Sequence, residues 1–167
     1  MKKLFIAGNW KSNKTSEEAR SWMEHVNITK SDATIVVCVP FTLLPIMKSN
    51  AFTVAAQDVS PFVDGAYTGE VSARQIKEFA DWVIIGHSER RKYFGETDDI
   101  LAKKVEMAKN AGLKVIYCVP DEETAGRLLL RQPGRGGQGD AAGQVPAEQA
   151  DRGVLLAGGT AGADRAA

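Results

Sequence analysis

Two polar clusters carry the residue types needed for chemistry on an anion. Asn9, Lys11 and Asn13 close the apolar run at residues 4–8, and His87, Ser88, Glu89, Arg90 and Arg91 close another at residues 82–86. Together they offer an ammonium, a carboxamide, an imidazole and a carboxylate. That set can bind an anionic substrate and polarise a carbonyl. Taken singly, each residue has a plainer reading. Lys11 alone is a solvated lysine and His87 alone a satisfied structural histidine. Glu89 with Arg90 is a surface ion pair worth ~0–1 kcal/mol, and Arg91 keeps a mostly structural reading. Two histidines and two cysteines leave little for a metal site or a disulfide framework. There is no Gly-x-Gly-x-x-Gly after the first run and no Gly-Lys-Ser/Thr phosphate loop, which argues against dinucleotides and nucleoside triphosphates.

The two clusters act together only if the chain brings them to one face, and the order of elements does this. Short apolar runs at 4–9, 34–39, 52–57, 81–86 and 113–119 read as strands. Between them, residues 15–30 read as a helix with Glu17 and Glu18 in its first turn. Residues 41–50 form a short helix, 72–79 a helix capped by Ser72, and 98–111 a helix closed by Gly112. The stretch 58–69, with Pro61, Gly65 and Gly69, is a loop. Continuously apolar strands alternating with helices imply an α/β fold with a parallel sheet covered by helices. Either a doubly wound sheet or a (β/α) barrel satisfies that pattern, and in both the ligand sits at the carboxyl ends of the strands.

Composition narrows the partners. The 167 residues balance 21 Lys plus Arg against 21 Asp plus Glu, so a strongly basic nucleic-acid binder is excluded. The apolar start is too short for a signal peptide, and no stretch reaches the roughly 20 apolar residues of a membrane span. Cys38 and Cys118 sit in apolar runs and read as buried, reduced thiols. A soluble protein of the cytoplasm is the expectation.

The averages conceal a boundary. All twelve aromatic residues lie at or before Tyr117 and all twelve lysines at or before Lys114. Residues 127–167 hold 9 of the 16 glycines, 9 alanines and 5 of the 9 arginines. A Gly-rich segment without large side chains buries too little area to offset its chain entropy, so 127–167 is expected to be a disordered, low-complexity tail behind a folded part at 1–126. Gly, Ala, Arg and Pro share GC-rich codons. The switch from lysine to arginine, coinciding with the loss of aromatics, is read as a shift of reading frame between Val119 and Gln132.

Three motifs in order carry a family resemblance: Gly8-Asn9-Trp10-Lys11, the segment from Gln57-Asp58-Val59-Ser60 through Gly65-Ala66-Tyr67-Thr68-Gly69-Glu70, and Ile85-Gly86-His87-Ser88-Glu89-Arg90-Arg91. Over about residues 1–126 the chain resembles the triosephosphate isomerases. The resemblance implies interconversion of dihydroxyacetone phosphate and glyceraldehyde 3-phosphate, a step of glycolysis and gluconeogenesis. A glutamate base moves a proton through an enediol(ate), without cofactor or metal. It implies that Lys11 supplies positive charge for the phosphate and the oxyanion, Asn9 orients the substrate oxygen, and neutral His87 polarises the carbonyl. Glu89 and Ser88 support His87. It also implies a homodimer in which the loop around Thr68 reaches the partner.

The chain also departs from the family. The resemblance implies an incomplete TIM (β/α) barrel with about five of eight βα units. At roughly 30 residues per unit, residues 127–167 cannot supply three more. One further strand is expected at 154–157. There the family reads Tyr-Glu-Pro-Val-Trp, whose glutamate is the base, whereas here Gly158-Gly159-Thr160-Ala161-Gly162 follows and the last glutamate is Glu148. Gly158-Gly159 comes too early to be the family's phosphate-binding glycine pair. The fifth strand ends in Cys118-Val119-Pro120-Asp121 where the family has Cys-x-Gly-Glu. An unclosed barrel leaves a bare strand edge. The 167-residue chain is therefore expected to fold poorly and to lack isomerase activity. Two other readings stand beside this one: a non-catalytic truncated or frameshifted fragment, and a different phosphate-binding barrel enzyme with its own base.

Overall fold

The computed structural model describes residues 4–28, 32–119 and 154–158. Its strands are β1 (Phe5–Asn9), β2 (Thr34–Val39), β3 (Thr53–Ala56), β4 (Trp82–Ile85), β5 (Lys114–Val119) and β6 (Val154–Gly158). They form one parallel sheet in sequential order, β1 through β6. A doubly wound sheet reverses its strand order part-way along; this sheet does not. It also curls. Phe5 on β1 and Trp82 on β4 are three strand positions apart, about 14 Å in a flat sheet, yet their ring centroids are 5.2 Å apart. Sequential order and curl together select the barrel type of sheet. β6 pairs with β5 from Val115↔Val154 to Val119↔Gly158, at the strand expected for 154–157. The remainder of 127–167, expected to be disordered, and the boundary near 126 lie outside the described residues.

The pleat splits the sheet into two apolar faces. Val37, Val39, Val54, Ala56, Val83, Ile85 and Val115 point outward and pack with Ala19, Leu43, Ile76, Leu101 and Ala108 of the helical layer. Val36, Cys38, Ala55, Trp82, Ile84 and Ile116 point inward with Phe5 and Cys118. Cys38 is buried, and burial pushes its thiol up to about 12. Cys118 is half-buried and is raised for the same first reason. Both are free thiols with little thiolate character. At the β1 edge Leu4 and Ile6 remain 63% and 46% exposed, because no neighbouring strand or helix among the described residues covers them.

The helices are α1 (Ser16–His25), α2 (Ala73–Lys77), α3 (Ser88–Phe94) and α4 (Asp98–Asn110), with a 3₁₀ turn at Phe41–Ile46. Thr15 caps α1 in a capping box with Glu18. α1 ends five residues short of the expected Lys30. Val26, Asn27 and Ile28 are poor helix formers, and Val26 and Ile28 pack on the core instead. Ser72 caps α2 as expected, through a capping box with Gln75. Gly112 closes α4 at φ 74°. α3 is an element that the pattern of residues does not announce: its N-cap is His87, an uncommon cap, and its residues form a polar cluster.

Gly86 joins β4 to α3 at φ 79°, a left-handed conformation. A Cβ there meets the Cys118 carbonyl oxygen at 3.1 Å and Leu101 Cδ1 at 3.3 Å. Gly86→Ala is expected to cost at least ~1–2 kcal/mol, measured as a lower urea midpoint. An unchanged midpoint would mean that the turn relaxes freely.

Candidate functional site

Parallel strands direct both polar clusters to the carboxyl end of the sheet. Asn9 ends β1, and Lys11 follows in the turn after it. His87 follows β4, and Ser88 and Glu89 open α3. Lys11 Nζ donates to Glu89 Oε1 at 2.6 Å, joining residues 78 positions apart. The Lys11 backbone N–H donates to Asn9 Oδ1 at 2.9 Å. Asn13 turns inward on its own loop, donating from Nδ2 to the Trp10 carbonyl at 2.8 Å. The hydrogen bond from Lys11 holds the Glu89 carboxyl below the usual carboxylate range, although partial burial opposes it. Both side chains are well exposed, so the pair organises the site without adding much stability.

His87 is defined by its cap. The Glu89 backbone N–H donates to His87 Nδ1 at 3.3 Å. Glu89 Oε2 also lies 3.5 Å from the same nitrogen, but a nitrogen accepting an N–H has no proton to offer a carboxylate. Nδ1 is therefore the acceptor, and in the neutral ring Nε2 carries the proton. An imidazole of this tautomer donates from Nε2 while remaining uncharged. Ser88 lines an open recess of about 350 Å³ with Gly86, Arg91, Lys92 and Val119. Thr68 is exposed on the loop between β3 and α2, and no hydrogen bond or ion pair among the described residues joins it to Lys11, His87 or Glu89.

Three relationships escaped the sequence. Arg90 does not pair with Glu89: it contacts Asp58 Oδ2 at 2.8 Å and Glu96 Oε1 at 2.6 Å. Lys104 Nζ meets the same two carboxylates, with Asp58 Oδ1 at 2.6 Å. Gln57 donates to the Lys11 carbonyl at 2.9 Å and the Cys38 carbonyl at 3.0 Å. Gln57 and Asp58 lie within a recognised motif, but nothing in their spacing identifies partners up to 46 positions away. Arg91 keeps its structural reading, reaching the Gly86 carbonyl, Asp98 and Tyr117. No group of three or more His, Cys, Asp or Glu among the described residues is arranged to hold a metal. No described helix is long and apolar enough to cross a membrane.

Sequential curled parallel strands, helices on the outer face and a polar cluster at the strand carboxyl ends define a chain of the (β/α)-barrel class. The family model for triosephosphate isomerase matches residues 4–129. The triosephosphate isomerase of Alkaliphilus oremlandii is 44% identical over 126 residues, covering 71% of this chain and 51% of that protein. That of Acetivibrio thermocellus is 45% identical over 130 residues (74% and 52%), and that of Synechocystis sp. 42% over 132 residues (74% and 54%). The chain belongs to the triosephosphate isomerase family, and it spans about half the length of these curated relatives.

Proposed function

We propose that this chain carries the anion-binding and carbonyl-polarising part of a triosephosphate isomerase site, acting on dihydroxyacetone phosphate and glyceraldehyde 3-phosphate through an enediol(ate). The observation that supports this best is the convergence on Glu89, which touches Lys11 at 2.6 Å and lies 3.5 Å from His87. One carboxylate thereby holds an ammonium beside an imidazole. Lys11 supplies charge for the phosphate and for the oxygen that becomes negative. Asn9, bonded to the Lys11 N–H, orients a substrate oxygen. His87, protonated on Nε2, donates a hydrogen bond to the substrate carbonyl as a neutral electrophile, the behaviour for which this family is the standing example. Ser88 supports His87 at the start of α3.

Moving a proton between adjacent carbons also requires a base. The family takes it from the glutamate of Tyr-Glu-Pro-Val-Trp after the sixth strand; here the sequence after 154 has no glutamate. Binding and turnover are therefore separate tests. Dihydroxyacetone phosphate titrated into ¹⁵N-labelled chain is expected to shift resonances around Lys11 and His87. Lys11→Met is expected to weaken binding about 10-fold or more, the loss of one charge-assisted hydrogen bond. Equal affinity of the variant and the native chain would reject the reading. The exposed Phe62–Tyr67 stack on the loop carrying Thr68, with centroids 4.2 Å apart, supports the homodimer, and two free thiols are compatible with the cytoplasm.

A further inference from the structure

Lys11 has a φ of 53°. In that conformation the Cβ of an L-residue crowds the following carbonyl, so it persists only where the surroundings over-determine it. The peptide groups on either side of Lys11 are both held. Its N–H goes to Asn9 Oδ1, and its carbonyl accepts from Gln57 Nε2 at 2.9 Å. Gln57 Nε2 also donates to the Cys38 carbonyl at 3.0 Å. That carbonyl in turn accepts the Trp10 N–H at 3.0 Å. One carboxamide just past the end of β3 thus ties the turn after β1 to the end of β2. A carboxylate at this position offers no donor and faces two carbonyl oxygens; an apolar side chain leaves both carbonyls with one bond fewer.

We propose that Gln57 is a positioning residue for Lys11: its carboxamide holds the left-handed Lys11 peptide so that the ammonium meets Glu89 and faces the substrate oxygens. Gln57 itself touches no substrate. The proposal rests on the reading of Lys11 as the substrate-facing cation, and its test is independent of turnover.

The readout is the titration of Glu89, followed by carboxyl ¹³C resonances in the full chain. Lys11 and His87 face Glu89, whereas the Gln57 carboxamide is bonded to the Lys11 and Cys38 carbonyls. Lys11→Met sets the reference, and its Glu89 midpoint is expected to rise toward the ordinary carboxylate value. Gln57→Ala is expected to reproduce most of that rise. A merely structural role lowers thermal stability and leaves Glu89 titrating as in the native chain, and that result would overturn the proposal. Gln57→Met, close in length and without a donor, serves if the alanine variant fails to fold. In the native chain, through-hydrogen-bond couplings are expected from Gln57 Nε2 to the carbonyl carbons of Lys11 and Cys38, and their absence would overturn the proposal with no variant needed. Dihydroxyacetone phosphate binding by the native chain separates the two readings. If it binds and Glu89 does not move in Gln57→Ala, the positioning role fails alone. If it does not bind and Glu89 moves, the substrate reading fails and the Gln57–Lys11 linkage stands.

Discussion

Lys104→Met is expected to destabilise the chain by about 3–5 kcal/mol, read as a lower urea midpoint at neutral pH. Lys104 is 4% exposed at its side chain, and it contacts Asp58 and Glu96, which are 13% and 5% exposed. Arg90 completes a cluster of two cations and two carboxylates that joins the loop after β3, the start of α3 and α4. Methionine matches the lysine stem in shape, so the cost isolates the charge. It leaves one guanidinium to serve one buried and one half-buried carboxylate, and Glu96 Oε2 already has no hydrogen-bond partner among the described residues. A loss below ~1 kcal/mol, the range of exposed pairs, would show that water reaches the cluster.

The two carboxylates respond to this setting in opposite senses. Burial, helped by the neighbouring Glu96 carboxylate, pushes Asp58 up against the pull of Lys104 and Arg90, and its carboxyl lies above its ordinary value. Burial also pushes Glu96 up, but both cations bond its Oε1 and together hold it below. The stability Glu96 contributes is present above the ordinary carboxylate range and is lost as pH falls through its lowered value. Native Asp58 takes up its proton before the unfolded chain does, which offsets part of that loss. Acid sensitivity of the native chain is thus blunted at this cluster.

The second large effect is on turnover. The 167-residue chain is expected to isomerise dihydroxyacetone phosphate at least about 10²–10⁴-fold more slowly than a full-length relative, the range a general base contributes. In the proposed roles Lys11 and His87 stabilise charge on oxygen, and neither removes the proton from carbon. A coupled assay on purified chain, with the Alkaliphilus oremlandii enzyme as reference, decides it. Activity within tenfold of that enzyme would mean that another residue serves as base.

Much of the architecture was legible because it is local. Alternating apolar runs placed five strands within a residue or two, and the expected sixth falls at β6. Thr15, Ser72 and Gly112 marked helix ends through hydrogen bonds and backbone conformations that span only a few residues. α3 was missed for the converse reason, since its seven residues are too few and too polar to show an apolar period. The end of α1 was misjudged because the core draws Val26 and Ile28 out of the helix, a tertiary preference overriding the continuing pattern.

The parallel α/β pattern, the family motifs and the placement of Asn9, Lys11, His87 and Glu89 at one end of the sheet are legible in the linear pattern of residues. The order of polar residues after apolar strands is enough to send them to the same end of a sheet. Apolar runs alone leave the doubly wound sheet and the barrel equal; the family motifs imply the barrel, and the tertiary structure shows it, because strand order and curvature are relations between segments. Only the tertiary structure assigned Arg90 to Asp58 and Glu96 instead of Glu89, turned His87 Nδ1 toward the Glu89 N–H, and set Gln57 against the Lys11 carbonyl. Each of these depends on distances of about 3 Å between groups far apart in the chain. A one-dimensional pattern carries no such distances.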